Sequence, residues 1–143
     1  LAEPGDVNFG GKVHGGMVMK WIDQTGYACA VGWSGCYCVT VSVGTIRFHR
    51  PIMVGHLVHL NAKVVYTGNT SIHVFVTVES RDPTTDELIE TNRCIITFVA
   101  TDEHGKKVSV QKWSPESEED KKLEHYAQKI QEMSMQAEAV LKG

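Results

Sequence analysis

The sequence has no run of eighteen apolar residues, so no segment is long enough to cross a membrane as a helix. It has no basic excess either. Its 14 Lys and Arg stand against 17 Asp and Glu, a formal net charge of -3, which argues against nucleic acid as the main partner. The seven histidines show no ligand spacing, and Cys36 and Cys38, two apart, match no zinc pattern, so no metal site is expected. With Cys29 and Cys94 they make four cysteines, which read as reduced thiols of a cytoplasmic protein. No internal repeat and no low-complexity segment occurs. No secretory pattern opens the sequence, and it starts at Leu1 rather than Met, so a short preceding segment is expected.

What is present fits one domain: 143 residues, 42% of them hydrophobic, are enough to bury a core. The chain is organised around residues 6–32. A polar, glycine-bearing loop runs into His14-Gly15-Gly16, which opens a helix expected to close at Gly32. Met17, Val18, Met19, Trp21, Ile22, Ala28, Ala30 and Val31 spread over most of that helix's circumference, the pattern of a buried helix. Its polar residues Lys20, Asp23, Gln24 and Tyr27 form one stripe. A carboxylate among so many apolar residues needs a partner or a purpose, which makes Asp23 the most informative residue.

From Cys38 the period changes to two, which predicts strands. Val39, Val41 and Val43 are expected on one face, and the shift of parity to Ile46 and Phe48 after Gly44 predicts a β-bulge there. Val58, Leu60, Ala62, Val64 and Tyr66 alternate inward along the next strand, and Thr67-Gly68-Asn69-Thr70 is a hairpin turn. Ile72 to Val78 and Leu88 to Ala100 carry two more strands, and Val108 with Val110 a short last one. In the tail, Ser114 is expected to cap a helix with Pro115 at its first position. Leu123, Tyr126, Ile130, Met133, Ala137 and Val140 form a narrow apolar seam, expected to pack on the body of the protein or on a sister subunit. The expected fold is α+β: a long helix wrapped by an antiparallel sheet of about five strands over 1–113, then a C-terminal helix over 114–143. One covering helix leaves strand edges open, which pairing with a second copy would close.

Several of these segments together resemble the hot-dog-fold acyl-CoA thioesterases, the group that holds bacterial acyl-CoA hydrolases and the cytosolic hydrolases of animals. The matching residues are Asp6-x-Asn8-x-x-Gly11, His14-Gly15-Gly16 and Lys20-Trp21-Ile22-Asp23. Further matches are Val39 to Ser42, Arg47-Phe48-His49-Arg50-Pro51 and Tyr66 to Ser71. The resemblance covers essentially the whole chain. It implies hydrolysis of acyl-CoA thioesters without a cofactor, CoA being part of the substrate. It also implies a site at a dimer interface, commonly within a hexameric trimer of dimers.

The chemistry assigns roles. Thioester hydrolysis needs a carboxylate to activate water or attack the carbonyl, and donors for the developing oxyanion. Asp23 is the general base or nucleophile. The Gly15 and Gly16 N–H groups, at a helix N-terminus, face the thioester oxygen. Asn8 orients the water or carbonyl, and His14 is a polar lining residue. The bland alternatives are a Lys20–Asp23 ion pair, close helix packing at the glycines and a turn role for Asn8. About 10 Å of helix separates Gly16 from Asp23, so one thioester does not easily reach both in a single chain. Arg47 and Arg50 are candidates for CoA phosphates, and Asn69, Thr70 and Ser71 for pantetheine or nucleotide. The alternatives are an acyl-CoA hydratase or dehydratase and a non-catalytic acyl-CoA sensor.

Overall fold

The computed structural model describes residues 1–143. Its central helix, α1, spans Gly15–Ser34 and lies on one face of an antiparallel sheet. The sheet is built from β1 (Tyr37–Gly44), β2 (Leu57–Thr67), β3 (Ser71–Arg81) and β4 (Ile89–Thr101) in the spatial order β1-β4-β3-β2. A second helix, α2 (Glu118–Lys142), crosses the opposite face.

The sheet therefore has four strands, not about five. Val108 and Val110 instead lie against strand ends by single bonds, from Val108 N–H to Ala100 O at 3.0 Å and from Val110 N–H to Asn69 O at 2.9 Å. Gly32 does not end α1. The helix continues to Ser34 and closes on Gly35, whose φ of 69° is left-handed and whose N–H reaches Val31 O. Nor is α1 buried all round. Val18, Ile22, Gly26 and Ala30, four residues apart, make the one fully buried stripe, because the sheet covers only one side of the helix. Gly26 sits where the helix comes closest: a methyl group there would stand 3.0 Å from Ile96 and 3.1 Å from Phe98.

The two faces of the sheet follow from the registers. Ile72, Val74, Val76 and Val78 of β3 face α1, with Cys94, Ile96, Phe98 and Ala100 of β4. The bulge expected at Gly44 lies at Val41 instead, between Thr40 and Ser42, and β1 simply ends at Gly44. Thr45, with φ 50°, then turns the chain out of the sheet. The bulge also separates the valines: Val39 stands opposite Val99, Val43 opposite Ile96, on different faces. A second bulge at Val65 turns Tyr66 away from α1, so Tyr66 packs on the α2 side rather than inward. There Tyr66 rests against His73, which is buried between the Ser71 and Thr97 hydroxyls. Burial lowers the His73 pKa to about 4, so its ring is neutral at physiological pH.

The tail helix starts later than its serine-proline pair suggests. Trp113 N–H is held by Thr67 Oγ1 at 3.0 Å, and 113–116 stays outside the helix. Ser117, not Ser114, then caps α2 by accepting from Asp120 N–H at 3.0 Å. Leu123, Tyr126, Ala127 and Ile130 pack on Val65 and Ile95, whereas Met133, Met135, Val140 and Leu141 are exposed. All four cysteines are free thiols. No helix is long and apolar enough to cross a membrane.

Candidate active site

The loop before α1 is held by Asn8. Its Oδ1 accepts from Gly10 N–H at 2.9 Å and from Lys12 N–H at 3.3 Å. Its backbone pairs with Lys12 and Gly11, and Gly11 takes a left-handed φ of 75° that favours glycine. These bonds consume the acceptor end of the Asn8 amide and leave its NH2 end outward. His14 is the N-cap of α1, but its side chain makes no capping bond. The first N–H groups of the helix, those of Gly15 and Gly16, are therefore open to an outside acceptor. The Phe48 ring lies over Gly15, 3.4 Å from where a Cβ would stand.

A cavity of about 310 Å³ opens beside this turn. Asn8, Gly15, Phe48 and Arg50 stand at its exposed mouth, with Thr91 and Asn92 at its buried side. Segment 45–50 is kept there by His49 N–H donating to Thr91 O at 3.0 Å. Asn92 is 1% exposed. Its Oδ1 accepts from the Thr91 hydroxyl at 3.2 Å, while its Nδ2 is buried without any partner.

Asp23 is elsewhere. It lies two turns along α1, exposed in the single protomer, and its Oδ1 accepts from the Thr40 hydroxyl on β1 at 2.5 Å. No ion pair joins it to Lys20, although Lys20 lies at the right helical spacing. That hydrogen bond fixes one carboxylate oxygen and leaves Oδ2 available. Strand β1 is an edge strand, paired only with β4, and Tyr37, Val39 and Val41 on it are exposed.

Thus Asn8, Gly15 and Arg50 share one cavity, and Asp23 does not border it. Gly16 and His14 are exposed beside its mouth, and Arg47 is exposed in the 45–50 segment. Asn69, Thr70 and Ser71 form the turn between β2 and β3, on the other side of the molecule. Thr70 and Ser71 border a different cavity, of about 370 Å³, between the sheet and α2. Ser71 pairs with Val99, eight positions from Thr91 along β4, or roughly 26 Å at 3.3 Å per residue. Within one protomer the arginines and this turn do not converge.

Two residues carry more than their sequence context suggests. Thr40 belongs to the Val39–Ser42 match, and the regular register ahead of the bulge sets it with Cys38 on the α1 face, where it meets Asp23. Asn92 breaks the inward apolar series that Cys94, Ile96, Phe98 and Ala100 continue, and that break in parity is its signal.

Residues 10–87 match the family profile of the thioesterase superfamily. Protein VdlD of Helicobacter pylori is 34% identical over 143 residues, which is the whole of this chain and 80% of that protein. A crystal structure of an apo-hexameric acyl-CoA thioesterase superposes with a TM-score of 0.92 at 33% identity, covering 97% of this chain and 89% of that one. The acyl-CoA hydrolase of Staphylococcus aureus, solved with butyryl-CoA, CoA and CoA disulfide, has a TM-score of 0.90 at 28% identity. It covers 99% of this chain, and 86% of its own length is matched. That enzyme has also been solved with an asparagine, an aspartate and a threonine each replaced by alanine. Those three positions are spaced 15 and then 17 residues apart, the spacing of Asn8, Asp23 and Thr40. On fold, sequence and solved relatives together, the chain belongs to the thioesterase superfamily, among the hot-dog-fold acyl-CoA thioesterases.

Proposed function

We propose that the protein hydrolyses acyl-CoA thioesters to free CoA and a carboxylic acid at a site shared by two copies of the chain. The glycine end of α1 and Asn8 come from one copy, and Asp23 with Thr40 from the other. The observation that carries this is the separation itself. The donor-lined cavity has no carboxylate, and the held carboxylate has no cavity. Edge strand β1, which bears Thr40, is exposed and unpaired on its outer side, so a second copy added there brings its own loop toward Asp23. The hexameric relative supports the further step to a trimer of dimers.

The reaction follows from these parts. Asp23, with Oδ1 held by Thr40, takes a proton from water as the water oxygen bonds to the thioester carbon. In the alternative route its oxygen attacks that carbon directly, and water then hydrolyses the anhydride. In either route the former carbonyl oxygen becomes an oxyanion, opposite the Gly15 and Gly16 N–H groups and the Asn8 NH2. Donors aimed at developing charge, in a site closed from water, are each worth about 2.7–4 kcal/mol. Collapse breaks the C–S bond; in the general-base route the departing thiolate takes the proton that Asp23 drew from water, and in the direct route it leaves as thiolate and is protonated by the water that opens the anhydride. Arg50, at the cavity mouth, meets the CoA phosphates, with Arg47 further along the same exposed segment. Asn69, Thr70 and Ser71 meet the pantetheine or nucleotide only where another copy brings that turn to the site. The free thiols are consistent with work in the reducing cytoplasm.

The test is release of free thiol from a panel of acyl-CoAs running from acetyl to palmitoyl. Hydrolysis of at least one member well above the spontaneous rate is expected. A flat response across the panel, with the protein folded and oligomeric, would overturn the assignment.

A further inference from the structure

We infer that Asn92 contacts the substrate, its side-chain NH2 donating a hydrogen bond to a carbonyl oxygen of acyl-CoA in the cavity beside Gly15. The inference rests on the function proposed above and names a residue that function did not use. A buried amide donor without a partner is destabilising, and such groups are rare in native structures. Asn92 is such a group: 1% exposed, its Nδ2 unpaired, on the cavity's inner side. It occupies an inward position of β4, opposite Val78, where an apolar residue would serve packing better. The Thr91 hydroxyl lies 3.2 Å from Asn92 Oδ1 and 3.2 Å from Val78 O, so its one proton is shared between them, and with Oδ1 on the Thr91 side the NH2 is the end left without a partner.

The surroundings define what it would bind. Val13, Val18 and Ile52 line the same cavity and are buried, so the space is apolar apart from its donors. Asn8, Gly15 and Asn92 all offer N–H groups, and Arg50 at the mouth is the one cationic group besides Lys12. A surface of donors with no carboxylate suits a carbonyl oxygen. Acyl-CoA has such oxygens in two places, the thioester and the pantetheine amides. The thioester oxygen changes during the reaction and the amides do not, so kinetics separate them.

The experiment replaces Asn92 by Leu, which has the same branching of heavy atoms and no donor, and measures thermal unfolding, thiol release and binding of free CoA. The expected result is a Tm equal to or above wild type, because an unsatisfied donor has been removed, together with about a tenfold loss in kcat/KM, the size of one uncharged hydrogen bond. A loss confined to kcat, with CoA binding unchanged, assigns the bond to the thioester oxygen. An equal loss in CoA binding assigns it to the pantetheine. Activity within twofold of wild type overturns the inference. So does a fall in Tm that accompanies the loss of activity, since that is the mark of a structural role. If Asn92→Leu does not fold, Asn92→Ala carries the same readouts. Failure of both to unfold cooperatively shows a structural residue and rejects the contact. A wild-type protein that releases no thiol defeats the proposed function itself, whereas an active wild type with indifferent variants defeats only Asn92.

Discussion

Two places on the exposed side of α1, its first turn and the turn that bears Asp23, present opposite chemistry. The first turn gathers free donors: the Gly15 and Gly16 N–H groups, the Asn8 NH2 and, across the cavity, the Asn92 NH2. Two turns later the free polar atom is an acceptor, the second oxygen of Asp23. The first region is built from loops folded against a cavity, and the second from regular helix and strand with no cavity. Hydrolysis needs both, the acceptor to take a proton from water and the donors to meet the oxyanion. One helix displays the two halves about 10 Å apart, too far for a single carbonyl. On the function proposed above, each half lacks what the other offers, and two-fold pairing would complete two sites at once.

Removing the acceptor should produce the largest effect. Asp23→Asn is expected to lose at least about a hundredfold in kcat, the low end for a positioned base, while Tm barely moves, since Asp23 is exposed in the protomer. Near-normal turnover by the purified variant would take Asp23 out of the mechanism. The shared site is sharpened by mixing. Asn8→Ala damages the donor half of every site and Asp23→Ala the acceptor half. In a mixed dimer one site collects both lesions and the other none. Random assortment makes about half the dimers mixed, each with one sound site of two, so co-expression should restore roughly a quarter of wild-type activity. Verified mixed dimers no better than the mean of their parents would place both halves within one chain.

Smaller effects separate the supports of each half. Thr40→Val deletes the hydroxyl on Asp23 Oδ1 and should cost roughly tenfold in kcat, since a bond to a charged group is worth about 1.5–3 kcal/mol. Thr40→Ser should recover most of the loss, which a merely structural threonine would not show. On the donor side, Arg50→Ala should weaken CoA binding a few-fold at low salt and flatten its salt dependence, because exposed charges are screened beyond about 8 Å at physiological ionic strength. Arg47→Ala should do less, because Arg50 borders the cavity and Arg47 does not. Equal effects of the two, or none, would remove the arginine contact from the cavity mouth.

The same contrast explains what was legible in the sequence. The long helix, the hairpin at Gly68-Asn69 and the strands from Leu57 to Ala100 were readable because their apolar periods are regular. The bulges at Val41 and Val65 were not, because a bulge adds one residue without a marker of its own, and each one moved a side chain to the opposite face. The start of α2 was misplaced for a different reason. Ser114-Pro115 has the local signature of a cap, but Trp113 is tied to Thr67, 46 residues away, and the segment after it stays outside the helix. Of the site, Asn8, the glycine pair and Asp23 stood out by residue type. Thr40 was hidden among the alternating valines: the register ahead of the bulge sets it with Cys38 on the α1 face, opposite Phe98 and Ala100. The four-strand count has the same origin as the caps: Val108 and Val110 alternate like a strand but find only strand ends to bond.

The smallest expected effect lies outside both halves. Gly26 occupies the middle of α1, on its buried stripe, and touches neither half-site. In an ordinary helix, replacing it by alanine would gain up to about 1 kcal/mol of propensity. Here a methyl group meets Ile96 and Phe98, both 0% exposed, at 3.0–3.1 Å, and neither has room to withdraw. Overpacking of this kind costs about 1–3 kcal/mol. The difference is a net loss near 1 kcal/mol, or about 2–4 °C in Tm for a chain of this size. Gly26→Ala should therefore lower Tm by a few degrees while kcat per folded protein stays at the wild-type value, because neither half-site is touched. A rise in Tm would show that α1 can lift from the sheet at no cost. A drop in kcat with an unchanged Tm would show that the distance between the two half-sites depends on how deeply the helix is seated. That outcome would make the packing at Gly26 part of the site, and the two half-sites on α1 could no longer be treated as independent of it.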